Sequence, residues 1–176
     1  MSRALRVGLA ALLLTVLAGV GCGYRPAGSA TRLPANLHTL AIPAFENKTT
    51  TYQIEQTMTA AVVREFLTRT RFRVLPQASS EADATLLGTV TSVGLSPITY
   101  SSQTGRASSV MVTVTARVRL LDRAGKVLFE NPSYILREEY EISQDPSSFF
   151  QEESAAFQRL TRDFARSLVS NVLEAY

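Results

Sequence analysis

The sequence predicts an α+β fold, a two-layer sandwich in which two amphipathic helices pack on a mostly antiparallel sheet of about four strands. Three patterns carry that expectation. Ile54, Met58, Ala61, Val62 and Phe66 recur at helical spacing, and so do Phe157, Leu160, Phe164, Leu168 and Val172 near the C-terminus. Between them, Val110, Val112, Val114, Ala116, Val118 and Leu120 alternate with Met111, Thr113, Thr115, Arg117 and Arg119, the period of a strand with one apolar face. A striped helix and a one-faced strand each leave apolar surface in water until they stack, and two layers are the simplest way to cover both.

The elements follow in order. Leu37 to Phe45 places Leu37, Leu40, Ile42 and Phe45 in a strand that ends near Pro43. Asn47 to Thr50 is a turn, and Thr50 with Gln53 has the spacing of a capping box opening a helix from about Tyr52 to Arg69. Phe72 to Leu75 is a short strand stopped by Pro76, and Gln77 to Asp83 is a loop. Ala84 to Leu95 reads as a strand with Gly88 and Gly94 as weak points, and Ser96 to Ser109, holding Pro97 and Gly105, as a loop or ragged hairpin end. After the strand at Val110 to Leu121, Asp122 to Lys126 turns the chain. Val127 to Ile142 returns as a strand that Asn131-Pro132 marks as bulged or at an edge. Asp145-Pro146 has the pattern of an N-cap followed by proline at the first helical position, and that helix continues almost to Tyr176.

The first residues follow a different logic. Arg3 and Arg6 precede an apolar run from Val7 to Val20, too short for the ~20 residues that cross a ~30 Å hydrocarbon core. With Leu17-Ala18-Gly19-Val20-Gly21 leading to Cys22, residues 1–21 are expected to be a cleaved export signal. Cys22, the only cysteine, then becomes a lipidated N-terminus, in a pattern that resembles the bacterial lipobox, with Gly19 where leucine is usual. Gly23 stands where an aspartate would retain many such proteins at the inner membrane, so the resemblance implies the outer membrane. Residues 22–36, with Pro26, Gly28 and Pro34, read as a lipidated tether, and 37–176 as the folded domain.

Composition excludes several functions. The formal charge of +3 falls to +1, 16 basic against 15 acidic residues, once Arg3 and Arg6 are set aside, so no basic footprint for nucleic acid remains. One cysteine and one histidine, His38, rule out a disulfide framework and a cysteine–histidine metal site. No glycine-rich phosphate loop occurs, and no nucleophile has a partner base. A non-enzyme without cofactor or metal is expected.

Several stretches resemble the LptE family of outer-membrane lipoproteins. Cys22-Gly23-Tyr24-Arg25-Pro26 is similar to that family's lipidated start, and Leu37 to Phe72 to its first half. More specific are Arg137-Glu138-Glu139-Tyr140, Asp145-Pro146 and Asp163-Phe164-Ala165-Arg166-Ser167-Leu168-Val169, which are similar to LptE C-termini. The resemblance implies a plug and folding partner of the LptD β-barrel that also binds lipopolysaccharide. The threonine-rich strand face is compatible with the polar interior of a large barrel. The rival reading is an outer-membrane lipoprotein that activates a cell-wall synthase or supports a secretion pore.

Candidate lipopolysaccharide contacts are Tyr100 and Arg106, in the loop that corresponds to one implicated in the family, and Arg117 and Arg119, which share a strand face. Arg71 and Arg73 form a similar pair. For both pairs a solvated sheet face is the plainer reading.

Overall fold

The computed structural model describes residues 37–142 and 146–174, with side chains of the last helix from Ser154 onward. The expected export signal, Cys22, the expected tether and the expected cap at Asp145 lie outside these residues. Six strands and two helices follow the expected order: β1 (Thr39–Ala41), β2 (Glu46–Asn47), α1 (Ile54–Arg69), β3 (Arg73–Leu75), β4 (Ala84–Tyr100), β5 (Ala107–Asp122), β6 (Val127–Glu141) and α2 (Pro146–Glu174). Pro146 takes the first helical position of α2, where its missing N–H costs nothing.

The sheet is mixed, in the order β3-β1-β4-β5-β6, with β2 also beside β4. The long pairs β4–β5 and β5–β6 are antiparallel, whereas β1 runs parallel to β3 and β4. Parallel neighbours need a crossover, and α1 supplies it between β1 and β3. The sheet has more strands than the expected four: the short strand expected at Phe72 to Leu75 joins it as β3, and the first strand is split at Pro43 into β1 and β2.

Both helices cover one face. Val110, Val112, Val114, Ala116, Val118 and Leu120 are all buried against Ile54, Met58, Val62 and Phe66 of α1 and Leu160, Phe164, Leu168 and Val172 of α2. Phe164 is the hub: its ring meets Phe45 at 6.3 Å and Tyr134 at 5.5 Å, both edge to face. The Tyr134 hydroxyl accepts a hydrogen bond from Asn171 Nδ2 at 2.9 Å, and burial pushes its ionisation above the usual tyrosine range.

Local chemistry differs from expectation at three points. Gln53, at φ 55°, starts α1 in the left-handed region with no side-chain cap, so the capping box is not formed. Asn47 organises the turn instead. Its Nδ2 donates to the Thr51 carbonyl and to Glu55 Oε2, while its Oδ1 accepts from Thr49 N and Oγ1. Gly88 is a packing requirement rather than a weak point, since a Cβ there would stand 2.5 Å from the Phe45 ring. Thirdly, strand pairing runs through the stretch expected to be a loop, leaving 101–106 as the turn of the β4–β5 hairpin. Pro97 is tolerated because the far part of β4 is an edge, past the last β2 pairing at Val90. The expected irregularity at Asn131-Pro132 is present, as β6 is an edge strand whose register slips between Tyr134 and Asn131.

Asp83, which periodicity does not mark, ties β1 to the start of β4. Its Oδ2 accepts the backbone N–H groups of His38 at 3.0 Å and Thr39 at 2.9 Å, and Oδ1 meets Arg123 at 3.2 Å. Those two N–H donors, with Arg123 beside them, hold its carboxyl below the usual aspartate range. The folded pKa is depressed, so the stabilisation is complete above the unfolded value near 3.9 and is lost as pH falls through the folded value. Asp83→Asn should therefore lower the melting midpoint at neutral pH and flatten its fall below about pH 4. Parallel acid profiles for variant and parent would remove Asp83 as the group responsible.

Candidate functional site

The face of the sheet opposite the helices is uncovered. Cross-strand partners share a face, so register assembles it row by row. Starting from the hairpin end, the rows are Gly94–Thr113–Arg137, Ser92–Thr115–Ile135, Thr89–Arg117 and Leu87–Arg119–Glu130. The threonines are half-buried between their neighbours, whereas Arg117, Arg119 and Arg137 are exposed. This is the polar, threonine-rich face that the alternation of β5 predicts.

Its charge is mixed. Arg117, Arg119 and Arg137 have no ion-pair partner within 4.0 Å among the described residues, but acidic groups share the rows of the first two. Glu130 stands opposite Arg119, and Glu46 continues the Thr89–Arg117 row on β2. Glu46 accepts from Thr89 Oγ1 at 3.3 Å and pairs with Lys48 at 3.6 Å. A face of alternating hydroxyls and opposed charges suits a polar surface better than it suits a single concentrated anion.

At the far end the hairpin turns tightly. Ser101 N donates to the Arg106 carbonyl and Gly105 N to the Ser101 carbonyl, each at 2.8 Å. Gly105 sits at φ 67°, where a Cβ would be strained. Below the turn, the Thr99 hydroxyl lies 2.8 Å from those of both Ser108 and Ser109, so the hydroxyls of the two strands satisfy one another.

The four candidate residues thus fall into two groups. Arg117 and Arg119 lie together on the open face, as strand alternation requires. Tyr100, paired with Ala107, and Arg106 lie at the tip, about 34 Å along β5 from Arg117 at ~3.4 Å per residue. Arg73 lies on β3 beside β1, away from both groups.

Sequence reasoning missed the companions of Tyr100. Leu95, Ile98 and Tyr100 are 55%, 42% and 63% exposed along the free edge of β4. A signal was available: between Asp83 and Asp122 the chain has no acidic residue, so the whole hairpin is neutral or cationic and its edge apolar. Among the described residues there is no cluster suited to a metal ion, and no helix is long and apolar enough to cross a membrane.

A family model described as LptE, lipopolysaccharide-assembly, matches residues 37–172. Among solved structures, the rare lipoprotein B from Shewanella oneidensis is similar with a TM-score of 0.55 at 9% identity, over 76% of this chain and 94% of that one. An uncharacterized lipoprotein B from Nitrosomonas europaea gives 0.54 at 16% identity, over 88% and 97%. The PelC dodecamer from Paraburkholderia phytofirmans gives 0.50 at 15% identity, over 85% and 96%. No curated protein matches the chain. At such identities the structures establish a shared fold, and a fold hosts more than one function.

Proposed function

The chain belongs to the LptE family of lipopolysaccharide assembly, and we propose that it acts as a lipid-anchored, non-enzymatic plug and folding partner of an LptD-type β-barrel in the outer membrane. The observation that carries this reading is the open face of β4–β5–β6. It runs along three long strands, is covered by no helix, and is mostly threonine, serine and opposed charges, with Ile135 as its exposed apolar side chain. The interior wall of a large barrel is itself polar, and hydroxyls and charges exchange their water for such a wall without leaving apolar atoms exposed. The apolar face is already used by the two helices, so the domain enters the barrel folded.

Lipopolysaccharide contact belongs in this proposal to the hairpin tip. Tyr100, Leu95 and Ile98 offer apolar surface, and Arg106 offers a guanidinium for a phosphate, with no carboxylate in the hairpin to oppose it. Arg117 and Arg119, with Glu130 and Glu46 in their rows, face the barrel wall. The rival reading, a lipoprotein that activates a cell-wall synthase or supports a secretion pore, is not favoured, because the family match spans 136 residues from 37 to 172.

Photo-crosslinkers at Thr113, Thr115 and Ser102 in the full chain test the plug arrangement. All three should link to one barrel protein, because a plug has its surroundings on the sheet face and at the tip together. Links from Ser102 alone, or from all three to a cell-wall synthase, would replace the plug with one-sided docking.

A further inference from the structure

The helix layer has a polar feature of its own, on the side away from the sheet. α1 and α2 run parallel. Arg69 at the end of α1 donates to Ser170 Oγ at 2.7 Å, while Ile54 at its start lies beside Phe157 and Thr161. Along the seam between them runs an open groove whose larger section holds about 540 Å³. Its floor is short, made of half-buried Ala61 and buried Thr161 with the exposed Ala60 beside them, and the Thr161 hydroxyl donates to the Gln158 carbonyl at 3.3 Å.

Its walls carry donors. Gln56 and Arg64 stand on the α1 side, Gln158 and Arg162 on the α2 side, and among the described residues no carboxylate lines the groove. The two arginines differ from the other helical ones. Arg69 pairs with Glu65 at 3.7 Å, Arg166 with Asp163 at 3.8 Å, and Arg159 with Glu138. Arg64 and Arg162 have no ion-pair partner among the described residues, and they are the two that line the groove. Two guanidinium groups facing one cleft without a counterion repel one another until an anion enters.

We propose that this groove binds a phosphate monoester, held by Arg64 and Arg162 with the Gln56 and Gln158 amides. A phosphate monoester presents three strongly accepting oxygens, enough to engage both guanidinium groups at once, whereas a single side-chain carboxylate satisfies one bidentate fork. The floor of alanine and threonine lets so compact a group sink between the helices. The assignment does not rest on the barrel reading, since the groove lies on the opposite layer from the open sheet face.

The test uses the full chain in detergent, with inorganic phosphate, short-chain phosphatidic acid, short-chain phosphatidylcholine and a polyglutamate peptide as probes. Arg64→Gln/Arg162→Gln should weaken binding at least ~10-fold at low salt, and the charge-matched Lys126→Gln/Arg166→Gln should leave it unchanged. Both side-chain pairs are exposed, so melting midpoints of all variants should match the parent. Binding of inorganic phosphate that the groove variant loses supports a soluble phosphate. Loss seen only with short-chain phosphatidic acid, with no response to short-chain phosphatidylcholine, supports a lipid headgroup. Absence of binding to either probe overturns the proposal. So does binding that survives the groove substitutions, or loss confined to a polyglutamate peptide, which would make the groove a site for acidic protein segments.

Discussion

Truncating Phe164 to alanine should lower the unfolding free energy by about 3–5 kcal/mol, the range for removing a buried aromatic ring. The side chain is fully buried at the centre of α2, and its ring is the shared partner of Phe45 and Tyr134. The cavity would lie where both helices and the sheet converge, so no single element can move to fill it without pulling away from another. Edge-to-face contacts with two rings add roughly 0.5–1.5 kcal/mol each to the area term, which places the expected cost towards the upper end. A domain of this size has about 5–15 kcal/mol in hand, and a loss of this order should move the melting midpoint by roughly 10–20 °C. Phe164→Leu should cost less, because it leaves most of the volume occupied. An unchanged midpoint for the alanine variant would mean that the α2 stripe is out of phase.

The second large effect is on attachment to the membrane. Cys22→Ser should abolish acylation and release the protein from the membrane fraction, or leave it as an unprocessed precursor. The expectation rests on Arg3, Arg6, the run from Val7 to Val20 and the small residues before the only cysteine. Each buried methylene contributes roughly 0.8 kcal/mol, and stable anchoring needs about two chains. A partner barrel would itself hold the domain at the membrane, so in cells without that barrel the effect is close to all or none. Labelling with a fatty-acid probe, followed by fractionation, reads it directly. Equal labelling of parent and variant would sink the assignment, and the melting midpoint separates lost anchoring from lost folding.

Periodicity alone located the helices and the long strands, because it is a local property. The side chains at i and i+4 of Leu160, Phe164 and Leu168 share a stripe whatever the rest of the chain does, and all three are buried. The alternation of β5 likewise told which face would be covered, and the helices cover it. Proline rules carried over for the same reason: Pro146 opens α2, and Asn131-Pro132 lies where the β6 register slips.

What the tertiary structure alone decided depends on pairs distant in sequence. The Asp83 carboxylate reaches N–H groups 45 and 44 residues away, and nothing in its local pattern distinguishes it from a loop aspartate. Gly88 reads as a weak point until Phe45 is seen against it. The capping box at Thr50 and Gln53 was a sound local reading, displaced when Asn47 organised the turn and Gln53 took a left-handed backbone. The hairpin grew past Pro97 because inter-strand pairing with β5 outweighed the turn-forming composition of Ser96 to Ser109.

The candidate site divides the same way. That Arg117 and Arg119 share a face was legible from a period of two. That Tyr100 and Arg106 stand about 34 Å from them, at ~3.4 Å per residue, required the register of two strands. The groove between α1 and α2 was not legible, since Arg64 and Arg162 meet only because the helices pack in parallel. Local spacing determines which side of an element a residue occupies, but which elements face one another is set by the long-range burial of their apolar sides.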